Sequence, residues 1–306
     1  MPFLGHLDID KIHDASLNTF RAARRAEGRK TKTINLSVSA VRAVLNRAAT
    51  LWRDDATGLA LLERPPKFVE TPVDDQRPPR PLTWDEQARL LEALPNHLAD
   101  MALFMLNTGA RDDVVVSLRW DWELSIPELG VSVFLVPEAH VKGRRSEKVL
   151  VLNTVAQSAV ERMRGRHPEN VFVWRRERKS ITKKYKVPPM TYRPVETMNN
   201  TAWQTARRKA GLGDLHVHDL RHTVGGRLRE AGVSQRGIAD ILWHAGGSMT
   251  SHYAVASIGE LVRALELIKN PTGQLNKSIL TLRAEARAKK LEQSVVHRPV
   301  DHASST

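Results

Sequence analysis

Residues 64–81, RPPKFVETPVDDQRPPRP, contain six prolines. Proline fixes φ and has no N–H to donate, so neither a helix nor an interior strand runs through such a stretch. The chain of 306 residues is therefore expected to fold in pieces. These are a short helical unit over 1–63, an extended linker over 64–81, a larger domain over 82–270, and a C-terminal helix and tail over 271–306.

Apolar spacing fills in the elements. Val38, Val41, Leu45, Ala48 and Trp52 recur three or four residues apart and predict one helix face. Ile9, Ile12 and Phe20 point to an earlier helix ending near Gly28. Two helices bury little, so this unit is expected to be small or incomplete. After the linker, Thr83-Trp84-Asp85-Glu86 has the form of a capping box. Leu98 to Leu106 reads as a buried helix stopped at Thr108-Gly109. VSVFLV at 131–136 and VLVL at 149–152 read as paired strands. Asn153 or Thr154 caps a helix expected to run to about Arg164. Further helices are expected over 197–209, 218–231, 234–243 and 258–268, with Gly211 and Gly232 as stops. A charged, Ala-rich helix is expected over 279–295, with a disordered tail after it. The fold class is mainly α with a small antiparallel β-sheet.

Composition narrows the chemistry. Lys plus Arg number 47 against 34 Asp plus Glu, a net charge of +13. Such a surplus suits a polyanion, because each neutralised phosphate releases counterions. An anionic membrane would attract it as well. The absence of cysteine excludes disulfides, thiolate zinc sites and a cysteine nucleophile. It fits a reducing cytoplasm. The sequence shows no signal peptide and no run long enough to span a bilayer.

Four short motifs stand out. HDLRHT at 218–223 puts His218 and Arg221 on one helix face. Arginine offers a planar fork of donors that matches phosphate oxygens, and histidine adds another donor. An ordinary surface ion pair would account for the same residues. His218 and His222 also have HxxxH spacing, but Asp219 stands where zinc proteases carry glutamate, and Arg221 would crowd a dication. ILWHAGGSMTSHY at 241–253 places His244 at a helix end and Tyr253 nine residues later. TGARDDVVVSLRW at 108–120 puts Arg111 just after a helix-ending turn. HVKGRRSEK holds Lys142, Arg144 and Arg145 between the two strands. Residues 162–193 carry eleven Lys or Arg against two Glu, among them Arg175, Arg176, Lys183 and Lys184. These last six arginines and lysines, apart from Lys142, are the candidate DNA contacts, and a solvated loop explains them equally well.

Each motif alone is weak, but their order is specific: Arg, strand-flanked Lys, His-x-x-Arg, His, Tyr. From about residue 80 to 268 the chain resembles the catalytic domain of the tyrosine recombinase (phage integrase) family. Residues 8–64 resemble part of its helical core-binding domain. The resemblance implies site-specific breakage and rejoining of double-stranded DNA through a 3′-phosphotyrosine, in the integration or excision of a mobile element. Tyr253 would be the nucleophile, and Arg111 and Arg221 would clamp the phosphate. Lys142 would be the general acid for the leaving 5′-oxygen, His218 would assist proton transfer, and His244 would orient the phosphate. It also implies no cofactor or metal, a homotetramer on DNA (a monomer off DNA is compatible), and a cytoplasmic location for a bacterial or phage-derived protein.

Besides the short N-terminal unit, two departures from the family pattern are visible. Val114 stands three residues after the arginine, where the family usually has a carboxylate. Trp243 stands where its LGH turn has glycine. Competing readings are a weakened prophage remnant, a type IB topoisomerase-like enzyme, and a helix-turn-helix regulator reading residues 232–253 as its motif.

Overall fold

The computed structural model describes residues 3–143, 146–175, 191–244 and 257–268. The chain divides into two compact units, Met1–Pro78 and Pro79–Thr306.

In the first unit, α1 (Asn18–Ala26) and α2 (Thr31–Thr50) are joined by a turn through Gly28. Leu17, Val38, Leu45, Ala48, Leu62 and Phe68 form the core, with Ile9, Ile12, Phe20 and Val41 packed around it. Trp52 lies beyond the end of α2 and is 42% exposed, so the predicted face stops one turn earlier. The proline-rich stretch is extended, and its first half packs onto the two helices. Arg21 is buried and forks to the Asp14 carboxylate and the Val69 carbonyl, while Asp14 accepts from the Val69 N–H. Asn35 exchanges hydrogen bonds with the Thr71 backbone. Arg42 donates to the Phe68 carbonyl. Phe68 thus supplies apolar area that two helices alone lack.

The second unit opens with α3 (Trp84–Ala93), capped reciprocally by Thr83 and Glu86. The central element is α4 (Asn96–Thr108), whose Leu98, Met101, Phe104 and Met105 are fully buried. It packs mainly against α6 (Thr154–Glu161) and α8 (Val217–Glu230). A short α5 (Asp112–Val116) follows it. The sheet runs β1 (Glu123–Ile126), β2 (Val131–Val136), β3 (Lys148–Val151), all antiparallel in that order. Phe134 pairs with Glu123 on one side and Leu150 on the other. Strand β1 carries no sequence signal: ELSI is short, and its two middle residues are exposed. A second small pair joins β4 (Val173–Trp174) to β5 (Arg193–Pro194).

The remaining helices are α7 (Thr201–Lys209), α9 (Gln235–Ile241) and α10 (Ile258–Glu266). Helix α6 stops at Glu161, short of Arg164, and α7 starts at Thr201 because Asn200 caps it. Gly211 and Gly232 take positive φ as helix stops. The fold is mainly α with small antiparallel sheets. Among the described residues no helix is long and apolar enough to cross a membrane.

Candidate active site

Three helix ends build the site. α4 closes at Gly109, whose φ is 69°. A Cβ there would collide with Leu242 Cδ2 and crowd Val224, so a side chain must displace Leu242 and strain the left-handed backbone. Two residues on, Arg111 occupies the N-cap of α5 in extended conformation.

Helix α8 contributes Arg221, which is only 3% exposed. Its Nη1 donates to the Gly109 carbonyl at 2.6 Å, and its Nη2 donates to the Leu242 carbonyl. These oxygens are the C-cap carbonyls of α4 and α9. A helix leaves such groups without an internal partner, at the negative end of its dipole. Two helix ends therefore hold one guanidinium. Desolvation still pushes the Arg221 pKa down to about 10, with Arg111 adding to the shift and Asp113 opposing it.

Arg111 is half-buried, and its Nη1 is a buried donor without a hydrogen-bond partner among the described residues. A buried unmet donor is costly, and Arg111 and Arg221 repel one another. An anion placed between them would relieve both penalties. The imidazoles of His218 and His244 belong to the same electrostatic cluster. Partial desolvation holds His218 below the ordinary value, with His222 and Arg221 adding to it and Asp112 opposing. His244 is lowered by desolvation, then by Arg221, Arg111 and His222. His222 stacks edge-on against His218, with ring centroids 4.8 Å apart. Apart from the HxxxH spacing, nothing in the sequence marks His222.

Lys142 is exposed, in the connection between β2 and β3, beside a left-handed Gly143. The connection spans 137–147, with Lys142 at its midpoint, and includes a 3-10 turn, Glu138–His140. A depression of ≈ 340 Å³ separates this connection from α5, lined by Asp113 and Ser117 on one side and by residues 139–143 on the other. Arg175 is exposed and lies over the Tyr192 ring at 5.3 Å, with Arg166 at 5.7 Å. Tyr253, Arg144, Arg145, Arg176, Lys183 and Lys184 lie outside the described residues, as does the predicted 279–295 helix.

The two departures have different consequences. Val114 is fully buried in the main core, so a carboxylate there would need a buried partner. Its neighbours Asp112 and Asp113 act on His218 and Arg221 instead. Trp243 keeps the left-handed turn, with φ of 51°, so the backbone before His244 takes the glycine-like path despite the side chain. The roles of the Gly109 and Leu242 carbonyls could not be read from the residues, because main-chain oxygens carry no residue signature.

The model of the Phage integrase family matches residues 80–258. The integrase of Salmonella phage P22 is 28% identical over 204 residues, which is 66% of this chain and 48% of that protein. The chain thus aligns with about half the length of that relative. Tyrosine recombinase XerA of Pyrococcus furiosus is 25% identical over 263 residues, 83% of this chain and 81% of that one. The Tn1549 transposon integrase, solved in complex with circular intermediate DNA, shares the fold with a TM-score of 0.52 at 17% identity, covering 92% of this chain and 87% of that one. By the extent of the family match, this chain belongs to the phage integrase family.

Proposed function

We propose that the chain is a site-specific recombinase that cuts and rejoins double-stranded DNA through a 3′-phosphotyrosine, moving a mobile element into or out of its site. The observation that carries this reading is the pairing of Arg221, held by two helix-end carbonyls, with the unmet buried donor of Arg111. Preorganised donors of this kind stabilise the charge that develops on a phosphorane, because they need not reorganise during reaction. Tyr253 Oη attacks the scissile phosphorus and loses its proton, with His218 assisting its transfer. The P–O5′ bond breaks, and Lys142 protonates the leaving 5′-oxygen. A 5′-hydroxyl from a second strand reverses the attack, so the phosphotyrosine conserves the bond energy and no ATP is consumed. His244 orients the phosphate. Residues 1–63 act as part of a core-binding clamp on DNA, four copies assemble on two sites, and the exposed basic residues, Arg175 among them, contact the backbone.

The test is covalent capture. The protein is incubated with nicked DNA bearing the attachment sequence found beside its gene, then run on a denaturing gel. Wild type is expected to give a protein–DNA adduct and Tyr253→Phe none. An equal adduct from Tyr253→Phe removes Tyr253 from the mechanism. Tight binding without any adduct favours a second reading, a weakened remnant, for which the burial of Val114 in place of a carboxylate is the supporting observation.

A further inference from the structure

Among the described residues, Trp243 is the one non-glycine residue with positive φ. It forms the left-handed end of α9: the His244 N–H donates to Ala239 O at 2.9 Å, and the Trp243 N–H to Asp240 O at 3.3 Å. This double closure suits glycine at the left-handed position. A bulky residue there persists only where its surroundings compensate.

The compensation is visible. The indole packs against the main core, and its Nε1 donates to the Val149 carbonyl at 3.0 Å. Val149 belongs to β3, an edge strand of the three-stranded sheet. The connection carrying Lys142 leads directly into β3. The residue before Trp243 supplies the Leu242 carbonyl that holds Arg221, and the residue after it is His244. A glycine would make the same turn and neither of these contacts.

We propose that Trp243 is a positioning residue that latches the end of α9 to β3. It thereby fixes the Leu242 carbonyl and His244 relative to Arg221. The functional meaning of the latch rests on the recombinase reading, but the latch itself does not, and its test uses neither DNA nor catalysis.

The test compares the full-length wild type with two variants. Trp243→Phe keeps the ring and the strained backbone but loses the N–H. Trp243→Gly loses both contacts and is at ease at positive φ. The His244 Cε1–H resonance is assigned by its absence in His244→Gln and followed by NMR through its titration. Partial desolvation, with Arg221, Arg111 and His222 adding to it, holds the wild-type midpoint below the ordinary histidine value. Release of the latch is expected to raise that midpoint by about half a pH unit or more in both variants. A change in overall stability alone would leave the midpoint of the folded protein in place. Inorganic phosphate, as an anion probe, is expected to bind several-fold more weakly to both variants. A Trp243→Phe protein with wild-type midpoint and wild-type phosphate affinity overturns the proposal, and this holds even if Trp243→Gly fails to fold.

Discussion

Arg221 and Gly109 depend on each other in opposite ways. The guanidinium needs the Gly109 carbonyl, and Gly109 needs its missing side chain to let Leu242 approach. Gly109→Ala combines a left-handed backbone with a collision, so a loss of about 2 kcal/mol is expected in chemical denaturation. Arg221→Lys replaces a planar fork by a point charge that cannot span two carbonyls in the same way. Adduct formation under single-turnover conditions is expected to fall about 100-fold, with DNA affinity changing far less. The histidines give a pH dependence. His218 and His244 both sit below their ordinary value, so the unfolded chain binds protons that the folded one refuses. Their contribution to stability is whole above about pH 6.5 and declines as pH falls toward their folded values. Thermal melts between pH 7.5 and 5 check this, and added phosphate is expected to shrink the decline, because a bound anion favours the charged imidazoles.

At the scale of elements, caps and straps decide where structure starts and stops. Thr83 and Glu86 close the first turn of α3 reciprocally, and Thr83→Ala is expected to cost about 1 kcal/mol in denaturant melts. The capping box was legible because it is local. The C-terminal end of α6 and the start of α7 were not, since the early stop at Glu161 and the cap at Asn200 compete with a periodic pattern that runs further. Strand β1 was hidden for a different reason: its pairing with β2 is tertiary, and ELSI alone resembles a loop. In the first unit the helix spacing predicted the core face but gave no sign that Phe68, eighteen residues after α2 ends at Thr50, completes it. Phe68→Ala is expected to destabilise that unit by about 3 kcal/mol, seen as faster proteolysis within 1–78.

For the whole molecule the basic surplus is the main long-range term. A net charge of +13 leads to DNA binding that weakens steeply with salt, the logarithmic slope tracking the number of phosphates neutralised. Titrations between about 50 and 200 mM salt measure it, and a flat profile contradicts an electrostatic interface. Periodicity, caps and motif spacing are local properties of a chain, so the fold class, most helices, and the order Arg111, Lys142, His218, Arg221, His244, Tyr253 are legible in the residues alone. Tertiary structure decided what the cations stand against. The convergence of the α4 and α9 carbonyls on Arg221, the unmet donor of Arg111, and the indole of Trp243 on Val149 join residues 21 to 112 positions apart, except for the orphan donor, which has no partner to name. Main-chain oxygens are the same in every residue, so only packing selects which of them a buried guanidinium meets.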